Sequence, residues 1–173
     1  FDLSDEQQML QESIDRFIQD NYDLDARQQL VLSEKGYSDT HWQSMAELGW
    51  LGVTVPEDFG GFGGNQIDAM VLMEAFGKGL VLEPVYASVI LATRAVVIAG
   101  SQALKAEILP GVVAGERQLA FAYAEEQASF DLEDVVTRAQ ADGEDYIING
   151  HKSMVQHGGS ASQIVVSART SGG

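Results

Sequence analysis

Ala114-Gly115-Glu116-Arg117-Gln118-Leu119-Ala120-Phe121-Ala122-Tyr123 is where the chain changes its period. Upstream of Gly115, apolar residues recur at the three-and-four spacing of a buried helix face. Downstream, short apolar runs alternate with turn residues, as strands do. The chain therefore divides into a helical domain over 1–115 and the start of a β-domain over 116–173. The class expected is α+β: a helical bundle followed by the first part of an antiparallel, barrel-like sheet.

The helical part carries its own start and stop signals. Ser4 and Gln7 make a capping box, with Asp5 and Glu6 at the positive end of the helix dipole. Leu10, Ile14, Phe17 and Ile18 follow at helical spacing, and the pattern ends near Asn21. Ser38-Asp39-Thr40 starts another helix through Trp42, Met45 and Ala46, with Gly49 at its C-terminal stop. A third covers Asp68 to Gly77. Pro84 opens a fourth that reaches Gly100. Ser101 caps a fifth, Gln102 to Leu109, stopped by Pro110.

Between the second and third lies Gly52-Val53-Thr54-Val55-Pro56-Glu57-Asp58-Phe59-Gly60-Gly61-Phe62-Gly63-Gly64. It lacks the Lys and Ser/Thr of a phosphate loop and the strand-helix context of a dinucleotide fingerprint. It reads as a tight buried connection whose glycines permit positive φ. Beyond the switch, five strands are expected: Leu119–Tyr123, Val135–Ala139, Tyr146–Gly150, Lys152–Gln156 and Gln163–Ala168. Asp142-Gly143 is a hairpin turn signal between two of them. Five short strands alone would leave apolar edges open, so the β part is expected to be the truncated beginning of a larger domain.

Composition narrows the function. The 173 residues include 10 Lys plus Arg against 26 Asp plus Glu, a formal net charge of −16. Cations are too few to neutralise a nucleic-acid backbone, and an anionic membrane surface is disfavoured for the same reason. With no cysteine, there is no disulfide, thiolate zinc site or thiol nucleophile. That usage fits a reducing compartment, and a cytoplasmic protein is expected. The acidic opening Phe1-Asp2-Leu3-Ser4-Asp5-Glu6 is unlike a signal peptide. The run Val85 to Ala99, interrupted by Ser88, Thr93 and Arg94, is too short and polar to span a bilayer.

Chemistry-bearing groups are sparse. His41, His151 and His157 have no companions at metal-ligand spacing and read as surface or loop residues, so no metal is expected. No serine sits in a nucleophile elbow. Glu125 and Glu126 could do acid–base work as a pair. Adjacent residues at a strand end point to opposite sides, however, which argues against it. Asp131 to Asp134 reads as a solvated turn.

Several motifs, in order, resemble the acyl-CoA dehydrogenase family across essentially the whole chain. They are the opening Phe1 to Gln7; Glu47-Leu48-Gly49-Trp50-Leu51-Gly52 followed by Val55-Pro56-Glu57-Asp58-Phe59-Gly60-Gly61; Leu109-Pro110 with Ala114-Gly115-Glu116; and, most specific, Gly143-Glu144-Asp145-Tyr146-Ile147-Ile148-Asn149-Gly150-His151-Lys152. The resemblance implies a three-domain subunit, of which this chain supplies the helical first domain and part of the β-domain. It implies α,β-dehydrogenation of an acyl-CoA thioester, as in fatty-acid β-oxidation. A carboxylate takes the α-proton and FAD takes the β-hydride. The family's base lies in the C-terminal part, so no catalytic residue is assigned to this chain. An electron-transfer flavoprotein or similar acceptor, and a homo- or hetero-oligomer, are the partners implied.

The resemblance also places cofactor-facing residues at Phe121, Tyr123, Ala124, Met154 and Gln156, and a substrate-facing residue at Phe130. Four of these depart from the family's pattern. Ala124 stands for a Thr, Phe130 for a Ser, Met154 for a Trp and Gln156 for a Thr. Met keeps bulk but loses the aromatic plane, and Ala loses a donor. Backbone N–H groups could still hold flavin edges. Losses concentrated on the flavin face, on a retained scaffold, resemble the small or partner subunit of heteromeric members such as pimeloyl-CoA dehydrogenase. A self-sufficient flavoenzyme with a divergent pocket is one alternative. Another is a non-catalytic interaction subunit that kept the fold and lost the flavin.

Overall fold

The computed structural model describes residues 2–171; Phe1 of the opening motif and the terminal Gly172 and Gly173 lie outside them. Six α-helices precede four strands: α1 Asp5–Asn21, α2 Leu24–Val31, α3 Asp39–Glu47, α4 Gln66–Lys78, α5 Arg94–Ala99 and α6 Gln102–Val113, then β1 Leu119–Ala122, β2 Arg138–Asp142, β3 Asp145–Asn149 and β4 Gln163–Val166. The mixed class expected from the period switch is present, with helices first and strands after Gly115.

The capping signals work as read. Ser4 Oγ accepts from Gln7 N and the Gln7 side chain accepts from Ser4 N. Ser38 and Ser101 cap α3 and α6 through their hydroxyls. Gly49 takes φ 81° just past α3, where a Cβ would be strained. Helix α4 begins at Asn65, which makes a capping box with Asp68. No helix among the described residues is long and apolar enough to cross a membrane.

Three helical expectations are corrected. Helix α2, capped by the Asp23 carboxylate, is additional to those expected: it buries no residue and so shows no periodic face. Helix α6 continues through Pro110 to Val113. Pro110 is exposed, so the carbonyl its ring frees can turn to water. The fourth predicted helix is a π-helical stretch, Tyr86–Thr93, running into α5.

Two cores result. Ile14, Met45, Trp50, Leu72 and Phe76 meet where α1 packs on α4 and α3 packs on the turn at Trp50–Gly52. Val55, Leu109, Val112 and Leu119 form a second core that reaches from α6 into β1. Burying each leucine contributes roughly 1.5–3 kcal/mol. The Gly-rich loop is tight but only partly the buried connection expected: Gly52 to Val55 are buried, whereas Pro56 to Gly64 are half-buried or exposed. Phe62, Gly63 and Gly64 donate to the carbonyls of Gly52, Val55 and Val53. The N–H groups of its glycines are thus spent on the protein rather than left to cradle a phosphate. A Cβ on Gly61 would stand 2.1 Å from Val55 O.

The strands form two pairs. β2 and β3 make an antiparallel hairpin, Arg138 facing Asn149, turned at Gly143 with φ 64°. β1 and β4 run parallel, Leu119 facing Gln163. The pairs meet at Arg169, whose N–H donates to Thr137 O while its carbonyl accepts from Ala139 N. β1 packs on the π-helical stretch, where the buried Ser88 Oγ accepts from Leu119 N at 2.9 Å. Two strand expectations shift. The strand placed at Val135–Ala139 forms at Arg138–Asp142, and Lys152–Gln156 is not a strand.

Candidate functional site

The residues expected to face a cofactor lie on two segments: the end of β1 with Ala124, and the stretch after Lys152. The structure brings these segments together. Ser153 N donates to Ala124 O at 3.0 Å, and Lys152 Nζ reaches Tyr123 O at 3.3 Å. Phe121 and Tyr123 project from the same side of the chain, their ring centroids 5.3 Å apart. Phe121 is half-buried and lines an apolar cleft of about 640 Å³ between α5, α6 and the β1–β4 pair.

The second segment is exposed and strained. Met154 is 89% exposed, and Gln156 is exposed too. Met154 and His157 both take φ 53°, the left-handed region that costs a non-glycine residue roughly 1–2 kcal/mol. Among the described residues, the backbone N–H groups of Met154, Val155 and Gln156 donate to no protein acceptor. Phe130 lies on the loop after β1 and is fully exposed, and no ring pair among the described residues joins it to Phe121 or Tyr123. Asp131 accepts from Glu133 N in the turn read as solvated.

A buried ion pair underlies this surface, and it corrects the reading of Glu125. Glu126 is exposed, but the Glu125 side chain is fully buried. Lys152 Nζ donates to Glu125 Oε1 at 2.6 Å and to Ser167 Oγ at 2.8 Å. Glu125 also accepts from Val136 N at 2.9 Å, Thr137 N at 3.1 Å and Gln127 Nε2 at 2.9 Å. The Lys152 ammonium beside it, with these donors, holds its carboxyl far below the usual carboxylate range. A carboxylate so held is a poor general base. Gly150 makes the approach possible, since a Cβ there would fall 2.3 Å from Thr137 Oγ1. Sequence reasoning missed the pair because its members are 27 residues apart; the only signal was a Lys soon after an Asn-Gly.

The histidines divide. His151 is exposed. His157 stacks edge-on to Tyr37 on a polar cleft of about 840 Å³ that also includes Trp42, Glu116, Gln118 and Ser160. His41 is not a surface residue. Its ring packs against Phe17 and Tyr22, and Nδ1 lies 3.4 Å from Glu83 Oε1. Burial pushes the His41 pKa down and the Glu83 pKa up.

Taken together, the structure is a helical domain joined to a β segment whose exposed surface carries a strained loop of backbone donors without protein acceptors among the described residues. The sequence model described as "Acyl-CoA dehydrogenase, N-terminal domain" matches residues 4–116, and "Acyl-CoA dehydrogenase, middle domain" matches 120–173. The chain belongs to the acyl-CoA dehydrogenase family. It is 30% identical over 98% of its length to an acryloyl-CoA reductase (NADH) of Anaerotignum propionicum, covering 43% of that protein. An FAD complex of PigA superposes with a TM-score of 0.87 at 29% identity, over 100% of this chain and 46% of that one. A steroid ACAD variant, Tcur3481-Tcur3483, superposes with a TM-score of 0.85 at 29% identity, over 94% and 44%. The chain thus spans under half the length of these relatives.

Proposed function

We propose that this chain supplies the helical first domain (1–115) and the beginning of the middle β-domain (116–173) of an FAD-dependent oxidoreductase acting on the Cα–Cβ bond of an acyl-CoA thioester. The observation that carries this reading is the exposed Met154–Gln156 segment, whose N–H groups donate to no protein acceptor among the described residues and which follows directly on Lys152 and Ser153, bonded to Tyr123 O and Ala124 O, on a scaffold of this family. The residues present fit a flavin through the backbone. A flavin ring has acceptor atoms on its edge, and unpaired backbone donors suit such atoms whatever side chains they carry.

FAD, when bound, supplies the acceptor for the hydride leaving the β-carbon. This chain's residues bind and orient. Met154, Val155 and Gln156 offer N–H donors, and Phe121, Tyr123 and Met154 offer apolar surface. Ala124 and Gln156 take the places of hydroxyl side chains; the family resemblance sets Phe130 on the substrate side, where its fully exposed ring stands in place of a hydroxyl. No residue of this chain is assigned as the base that takes the α-proton. The thioester makes that proton acidic enough for a carboxylate to remove. The family's dehydrogenases and the acryloyl-CoA reductase relative support either direction of transfer across the same bond. A cytoplasmic location and an electron-transfer flavoprotein or similar acceptor belong to the same reading.

The weakened flavin-side chemistry at Ala124, Met154 and Gln156, with the loss of a hydroxyl at Phe130, favours a partner subunit in a hetero-oligomer. A relative whose description pairs two gene products, Tcur3481-Tcur3483, supports that arrangement. The same substitutions favour, as a second reading, a non-catalytic interaction subunit. The full-length protein, purified alone and with the product of a neighbouring dehydrogenase gene, separates the two by its visible spectrum. Flavin absorbance in either preparation is expected; its absence from both overturns the enzyme reading. Met154→Trp with Gln156→Thr is expected to raise the FAD retained through gel filtration by about two-fold or more. Unchanged retention removes this segment from the flavin site.

A further inference from the structure

We propose that Lys152 is a positioning residue: its ammonium sets the Met154–Gln156 backbone in the conformation that receives the flavin. The inference rests on the flavin reading above. The exposed segment has little packing of its own to fix it, since Met154 and Gln156 point to solvent. Left-handed backbone at Met154 is disfavoured locally. Its conformation must therefore be imposed from its ends.

The C-terminal end is a compact turn. Gly158 N donates to Val155 O, and Ser160 N and Ala161 N donate to His157 O. The N-terminal end is Lys152. Its ammonium has three N–H groups, and three oxygens surround it: Glu125 Oε1, Ser167 Oγ and Tyr123 O. One side chain thereby joins the exit of β1, the loop carrying Glu125 and the exit of β4. The adjoining Ser153 N–H is fixed to Ala124 O. The Lys152 side chain is 8% exposed and its donors are committed, so it is available neither as a ligand nor as an acid. What remains is its effect on the residue two positions on.

The test uses full-length protein with whatever partner subunit it copurifies with. FAD dissociation is followed by recovery of free-flavin fluorescence, the bound flavin by its visible band shape, and folding by thermal melts. Lys152→Met is expected to weaken FAD binding by about ten-fold or more and to alter the band, because it strands Glu125 and frees three acceptors. Lys152→Arg, which keeps the charge, is expected to recover binding to within about three-fold. Leu72→Ala, in the helical core, serves as the control. It should lower the melting temperature while leaving FAD binding of the folded protein within about three-fold.

Wild-type affinity and band shape in Lys152→Met overturn the inference. So does an equal loss of affinity in Leu72→Ala at an equal fall in melting temperature. If Lys152→Met yields no folded protein, Ser167→Ala carries the test. Removing one of the three bonds should weaken binding by about two- to five-fold, and no change overturns the inference. A wild-type preparation without flavin, alone and with its partner, overturns the flavin reading itself, an outcome distinct from all of these.

Discussion

Glu83 and Glu125 are both buried carboxylates, one in the helical domain and one in the β segment, and they are treated in opposite ways. Glu83 accepts from Tyr22 Oη and Ser38 N and has only the neutral-leaning His41 ring nearby. Desolvation prevails and its pKa rises. Glu125 is met by an ammonium and backbone donors, and its pKa falls. The helical domain is held by apolar packing and tolerates a carboxyl whose charged form burial disfavours. The β segment is held at its centre by a charge pair, with Tyr146, Ile147 and Ile148 of β3 left at the surface. Burial alone does not set the sign of a pKa shift; the partner does.

The largest expected effect tests the contrast in packing. Leu72→Ala should cost roughly 2–5 kcal/mol, because Leu72 is fully buried. Ile147→Ala, at 51% exposure, should cost under about 0.5 kcal/mol. Urea titrations of both variants check the difference, and similar losses would break the comparison.

The carboxylates come next. Glu125→Gln keeps the shape but leaves the Lys152 ammonium without its anion, so the melting temperature should fall by several degrees. Glu83→Gln removes a charge that burial already disfavours and should change it by no more than a degree or two. Equal shifts in parallel thermal melts would show that the two sites are not the opposites described.

A smaller effect lies in the pH dependence. The Glu83 pKa is raised above 4.5, so its contribution is full below that value and is lost as pH rises through the folded pKa. The His41 pKa is lowered from 6.5, so its contribution is full above 6.5 and is lost as pH falls through the folded pKa. The Glu125 contribution is full above 4.5 and is lost only in stronger acid, as pH falls through the depressed folded value. Melting curves across mild acid should therefore change shape in Glu83→Gln and keep their shape in Glu125→Gln.

The smallest concerns the hairpin. Gly143→Ala meets no neighbour within 4 Å but must hold φ 64°, costing about 1 kcal/mol. A chemical-denaturation shift well above that would mean the turn is packed more tightly than its open surroundings indicate.

How much of this was legible follows the same division. Helix caps at Ser4, Ser38 and Ser101 depend on neighbours three residues away, and the sequence displays them. The period switch at Gly115 also falls where helices give way to strands. Strand positions were less legible. Residues 133–137 are taken by Glu125 and by the Arg169 side chain, which donates to Val135 O and Glu133 O; the ladder therefore begins only at Arg138. The stretch after Lys152 has strand-like composition, but its anchors and the left-handed Met154 keep it out of any ladder. The family resemblance placed the candidate site near that stretch. The buried pair beneath it depends on contacts between distant residues that no local pattern encodes.

The π-helical stretch at Tyr86–Thr93 has a consequence for comparing this chain with its kin. A π-turn holds about one more residue than an α-turn, the form in which a helix absorbs a single inserted residue without changing its direction. A length difference of one residue can therefore hide inside this helix while both ends stay in register. Pairwise alignments should drift by one position across Tyr86–Thr93, and an ancestral insertion or deletion should be sought there before it is assigned to a loop.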